Sequence, residues 1–163
     1  MSKENQVGLF RVSYVISSCA VGLPLLSASQ LTLELVVNTV DKTVNGVAHV
    51  FQATNPSINV ISQFAGEWSY MCTMDSCHIL VVADGFDFSS ILIGGKPLEH
   101  KNVTLRMSLS ENWQSGAANF SYLHDGEWHQ VEAAHVKVSS DETQHNLDAL
   151  TTFTSVNKPS VTA

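Results

Sequence analysis

Apolar and polar side chains alternate along short runs in this chain, and that pattern constrains the fold more than any other feature. A pleated strand turns successive residues to opposite faces, whereas a helix repeats its apolar face every three to four residues. Leu31, Leu33, Leu35 and Val37 alternate with Thr32, Glu34, Val36 and Asn38. Trp68, Tyr70, Cys72 and Met74 do so with Glu67, Ser69, Met71 and Thr73, and Val103, Leu105, Met107 and Leu109 with Thr104, Arg106 and Ser108. Helical spacing is nearly absent. The expected class is therefore all-β, with half-buried strands.

Turn dipeptides separate these runs at short intervals: Asn55-Pro56, Asp84-Gly85, Gly94-Gly95 and Asp125-Gly126. The clearest reversal is Asp125-Gly126, which supplies the two positive φ angles of a type I′ hairpin. It sets a register in which Leu123 faces Trp128, Tyr122 faces His129 and Phe120 faces Val131. Asn45-Gly46 is read as a glycine bulge within a strand from Thr43 to Ala53, with the reversal at residues 39–42, since the run 31–37 then gains a partner of matching length. Extended segments are expected at 8–17, 31–38, 43–54, 57–64, 66–74, 77–83, 90–93, 102–110, 117–123 and 127–138, some of them merging to give about eight or nine strands. Sequential hairpins favour an antiparallel up-and-down meander closed as a barrel, with a sandwich as the alternative, because both bury strand edges. One domain over residues 1–138 is expected, then a polar segment at 139–163 with a short helix at 141–150 and a poorly anchored tail.

Charge excludes some partners. Fifteen acidic residues against eight Lys and Arg give a net charge of −7 without any basic run, which is unsuited to nucleic acid or to an anionic membrane surface. No apolar stretch reaches the length of a spanning helix. The run from Val12 to Leu26, behind Lys3 and Arg11 and ahead of Ser27-Ala28-Ser29, resembles an export signal, but Glu4, Gly22 and Pro24 interrupt that template. Three cysteines cannot form a complete set of internal disulfides. A cytoplasmic location is expected, with export as the alternative.

The sharpest local feature is Cys72-Thr-Met-Asp-Ser-Cys77. A two-residue turn at Met74-Asp75 sets the two cysteines opposite each other in a non-hydrogen-bonded pair. Two small buried thiols are the expectation, with a cross-strand disulfide, or a metal held by Cys72, Cys77 and His78, as alternatives. His124, His129 and His135, beside Glu127 and Glu132, form a second imaginable metal cluster, and His129 and His135 share a face if their strand is unbroken. Trp68, Tyr70, Trp113, Tyr122 and Trp128 are candidates for a ligand pocket or a sugar-stacking surface, against the plainer reading that they fill a core. Asn102-Val-Thr104 and Asn119-Phe-Ser121 match the glycosylation acceptor pattern and are taken as chance.

Gly66-Glu67-Trp68 is similar to the Gly-x-Trp signature of lipocalins. In that family the motif marks the first strand and here it lies mid-chain, so no binding residue carries over. A broader resemblance rests on the stretch Gly8 to Ile16, on Leu33-Glu-Leu-Val-Val-Asn-Thr39, on Lys42-Thr-Val-Asn-Gly46, and on Trp113-Gln-Ser-Gly116 through Tyr122-Leu123. From about Val7 to about Glu132 the chain resembles an uncharacterised bacterial family, domain-of-unknown-function family eighteen-forty-two. That resemblance implies a bacterial origin and a retained N-terminal strand, but no substrate, cofactor or catalytic residue.

Nucleophile elbows, phosphate-cradling loops, dinucleotide fingerprints and zinc-protease helices are all missing from the sequence. The expected function is a non-enzymatic binding or interaction module, holding a small apolar molecule or a sugar and needing no cofactor. The alternatives are a homo-oligomeric structural subunit or toxin-like component, and a small metal-assisted enzyme.

Overall fold

A computed structural model describes residues 8–18, 29–54, 56–87, 92–93, 96–97, 100–139, 150–152 and 154. The run of alternating segments becomes β1 (Leu9–Ser17), β2 (Gln30–Asn38), β3 (Thr43–Gln52), β4 (Ile58–Cys72), β5 (Cys77–Phe86), β6 (Leu92–Ile93), β7 (Lys96–Pro97), β8 (Lys101–Leu109), β9 (Ser115–His124) and β10 (Glu127–Val138). Strands β1 to β5 and β8 to β10 form a closed barrel in the order β1-β10-β9-β8-β5-β4-β3-β2, and β6 and β7 pair only with each other. Every ladder is antiparallel, and each barrel strand lies beside its neighbour in the chain until β10 returns to β1. The fold is thus the expected meander, closed as a barrel rather than opened into a sandwich.

Several turns fall where their residues require them. Asp125 and Gly126 have φ angles of 52° and 77°, and the register Leu123↔Trp128, Tyr122↔His129 and Phe120↔Val131 follows. Residues 39–42 reverse the chain between β2 and β3, with Asn38 Oδ1 accepting from the Val40 and Asp41 amides and Lys42 at φ 56°. Gly46, in contrast, forms no bulge: β3 pairs with β2 without a register shift. A Cβ there would lie 1.8 Å from the Glu34 carbonyl oxygen, so glycine serves the close approach of two strongly coiled strands. One further expectation is corrected: Asp84-Gly85 lies within β5, paired to Ala65 and Phe64, rather than at a turn. The segments expected at 57–64 and 66–74 merge into the single strand β4. Gly94-Gly95 and Asn55 lie outside the described residues, as does most of the segment 141–150 read as a helix.

Barrels of eight strands have an interior just wide enough for side chains. Phe10, Tyr14 and Ile16 of β1, Leu31, Leu33, Leu35 and Val37 of β2, Phe64 and Trp68 of β4, and Phe120 of β9 all point inward and are buried. At the end where β5 begins and β8 finishes, Trp113 lies across the lumen, fully buried. The Tyr14 hydroxyl donates to its carbonyl at 2.7 Å, and burial pushes the Tyr14 phenol pKa up. Trp113 has a φ of 62°, a left-handed conformation that a bulky residue adopts only when its surroundings compel it. Residues 150–152 and 154 are helical and sit over the same end, with Leu150 in the core and Thr151 Oγ1 donating to the Asn112 carbonyl. Strand β1 takes up the first part of the apolar run that resembles an export signal; a chain starting at Cys19 or Ser29 would lack it.

Candidate functional site

The aromatic candidates divide among three places. Trp68, Tyr70 and Trp113 cluster at the closed end, with Trp68 edge-on to Trp113 at 5.1 Å and to Tyr70 at 5.7 Å. Trp68 Nε1 donates to the Asn38 carbonyl, while Trp113 Nε1 is buried with no partner among the described residues. These rings are core. Tyr122 sits at the opposite mouth, its hydroxyl within 3.2 Å of both Ser29 Oγ and Gln52 Oε1, and its ring stacked on His129 at 5.2 Å. Ser62 donates to Asn102 near the same mouth, so the buried polar side chains of the lumen gather there. Trp128 is on the outer wall and half exposed, at 50%.

The metal candidates are also dispersed. Cys72 and Cys77 face each other across the hairpin and are joined as a disulfide, with Thr73 N donating to the Ser76 carbonyl beyond them. In that state neither sulfur is a thiolate ligand. His78 follows Cys77 and points outward, away from the core that Cys77 enters. His129 and His135 do not share a face, because β10 bulges between Val131 and Ala134, with Ala133 at φ 53°, and reverses its parity. His129 turns inward to Tyr122 and His135 is exposed. His124 lies 6.3 Å from His129 between ring centroids, but its Nε2 is at Asp125. Among the described residues, no three His, Cys, Asp or Glu side chains are set to hold a metal ion.

A different site emerges on the outer wall. Outward positions of β9 carry the small residues Ala117, Asn119 and Ser121, between the longer Arg106 of β8 and Gln130 of β10. Short side chains flanked by long ones leave a cleft of about 410 Å³ across β5, β8, β9 and β10. A second depression of about 250 Å³ continues from it past Ser108 and Leu80, and Arg106 and Asn119 border both. Thr104 and Ser121 contribute hydroxyls. Lys101 and Asp84 face each other at 3.1 Å at one side. Asn119 Oδ1 accepts from the Ala133 amide at 2.8 Å, so the bulge in β10 orients this side chain. Trp128 stands two residues from Gln130 on the same strand face, about 7 Å away and outside the residues that line the cleft.

A family model described as Domain of unknown function (DUF1842) matches residues 7–128. The chain belongs to this family. The match spans seven of the eight barrel strands and ends as β10 begins, so the DUF1842 pattern includes Arg106, Asn119, Ser121 and Trp128 but not Gln130. No curated protein matches the chain.

The cleft of this DUF1842 barrel is lined by hydrogen-bonding groups. It offers hydroxyls, amides, a guanidinium and one ion pair. Sequence reasoning missed it because no stretch of chain carries it. Its signal was the outward series Ala117, Asn119 and Ser121, which acquires meaning only once β8 and β10 are laid in register beside β9.

Proposed function

We propose that this barrel is a non-enzymatic binding module that holds a saccharide on its outer wall. The observation that carries this reading is a cleft lined by planar amides and hydroxyls, with the half-exposed Trp128 one same-face position along β10 from its lining residue Gln130. Flat apolar rings cover the C–H faces of sugars, and amide and hydroxyl groups match their alternating donors and acceptors. The lumen is filled along β1, β2 and β4 by packed side chains, which puts the proposed site on the outer wall. The test is an oligosaccharide array probed with the full chain and with Trp128→Ala. Binding that weakens about tenfold or more in the variant, on the order of 1.4 kcal/mol, supports the reading. Wild-type protein that retains no saccharide overturns it.

A second reading, self-association, is favoured by outward Val36, Val47, Phe51 and Ile61 on β2, β3 and β4, each more than a third exposed. Light scattering at high concentration tests it, and a monomer removes it. The compartment follows from the cysteines: cytoplasmic residence, the initial expectation, keeps Cys72 and Cys77 largely as thiols, and export keeps the bridge. Alkylation in intact cells distinguishes the two.

A further inference from the structure

The chain carries a net charge of −7, yet its outer cleft runs against that balance. Two cations, Lys101 and Arg106, line it with one carboxylate, Asp84, a charge of +1 among the lining residues, and the Glu132 carboxylate is held to Gln130 outside them. Asp84 is already engaged by Lys101 at 3.1 Å. Arg106 has no ion pair among the described residues and stands at the junction of the two depressions. Beside it, directly across the β8–β9 ladder, is Asn119. Because Asn119 Oδ1 is committed to the Ala133 amide, the Nδ2 donors are on the side away from the bulge. Gln130 is set the other way: its Nε2 donates to Glu132 Oε1, which leaves Oε1 as an acceptor. The cleft therefore presents a guanidinium fork and an amide donor at its centre, with an amide acceptor at its β10 side.

From this asymmetry we infer that the cleft selects saccharides bearing a carboxylate, that is, uronic acid units, over neutral sugars of the same shape. The inference rests on the saccharide-binding reading above and adds the charge of the ligand to it. A guanidinium receives a carboxylate through two parallel N–H···O bonds, a geometry no hydroxyl reproduces. A single excess positive charge balances a monoanion, whereas a phosphate monoester near two negative charges exceeds it. The Gln130 acceptor and the Thr104 and Ser121 hydroxyls then meet ring hydroxyls.

The experiment is a calorimetric titration of the full chain with matched trisaccharides that differ only in oxidation at C6: galactose against galacturonate, glucose against glucuronate, mannose against mannuronate. At least one uronate trimer is expected to bind about tenfold to a hundredfold tighter than its neutral counterpart at low salt, with the preference shrinking as salt rises. Arg106→Gln is expected to abolish that preference, weakening the uronate trimer far more than the neutral one. Arg106→Lys is expected to restore only part of it. Arg106 is exposed, and an unchanged melting temperature confirms that both variants fold. Equal binding of uronate and neutral trimers, or a preference that survives in Arg106→Gln, overturns the inference while leaving saccharide binding intact. Failure of every trimer to bind removes both.

Discussion

Replacing Tyr14 by Phe removes a single hydroxyl from the closed end of the barrel and leaves the ring in place. Tyr14 has no exposed surface, and its hydroxyl donates to the Trp113 carbonyl at 2.7 Å. In the variant that carbonyl loses its donor within an apolar site, at a cost of about 1–3 kcal/mol. For a chain of this length each kcal/mol lowers the melting temperature by roughly 2–4 °C. A second signature lies in the pH dependence. Burial raises the phenol pKa well above its ordinary 10.0, so above pH 10 the unfolded chain loses this proton while the folded one keeps it. The unfolded state then binds fewer protons, and stability falls with rising pH by about 1.4 kcal/mol per unit between the unfolded and the folded pKa. Tyr14→Phe lacks that loss. Urea unfolding of both proteins, followed by tryptophan fluorescence from pH 7 to 11, is expected to show the variant less stable at pH 7 and the gap narrowing by about 1.4 kcal/mol at pH 11. A stability difference that stays constant across that range refutes the placement of the buried hydroxyl.

Gly126→Val forces a β-branched residue to φ 77° and is expected to lower stability by about 2 kcal/mol in urea unfolding. Gly46→Ala should cost about 1–3 kcal/mol because the new methyl meets the Glu34 carbonyl, and circular dichroism melting against the unsubstituted protein checks it. Reducing the Cys72–Cys77 bridge closes off a loop constraint of only a few residues, so the expected loss is about 2 kcal/mol, read as a shift in urea midpoint with and without reductant.

Glycine explains much of what sequence reasoning got right and wrong here. At Asp125-Gly126 the flanking alternation runs unbroken on both sides, so the turn was legible together with its register. Asn45-Gly46 and Asp84-Gly85 use the same residue types, yet both stay within strands. A glycine that admits a positive φ and one that admits a neighbouring backbone look identical in a single sequence, and only the neighbouring strand tells them apart. The Ala133 bulge was hidden for a related reason. Its parity change is stabilised by Asn119 from another strand, so the sequence alone shows only that the histidines at 129 and 135 share a face if the strand is unbroken, and the extra residue breaks that condition. That Cys72 and Cys77 face each other was legible because the geometry is local, but the expected pair of free thiols is a disulfide. The outer cleft was not legible, since its residues come from four strands between Val82 and Gln130 and meet only through pairing.

The seam between β1 and β10 has a consequence for how the protein is made. Tyr14 pairs with Val138 and Ser17 with His135, so the barrel strand made earliest waits for the barrel strand made latest. Roughly 120 residues separate them, and at about 5–20 residues per second the nascent chain carries one open, apolar edge of β1 for on the order of 6–24 seconds. During that interval the edge is a template for any other extended chain nearby. Yield in the cell therefore depends on what shields β1 until synthesis reaches Val138.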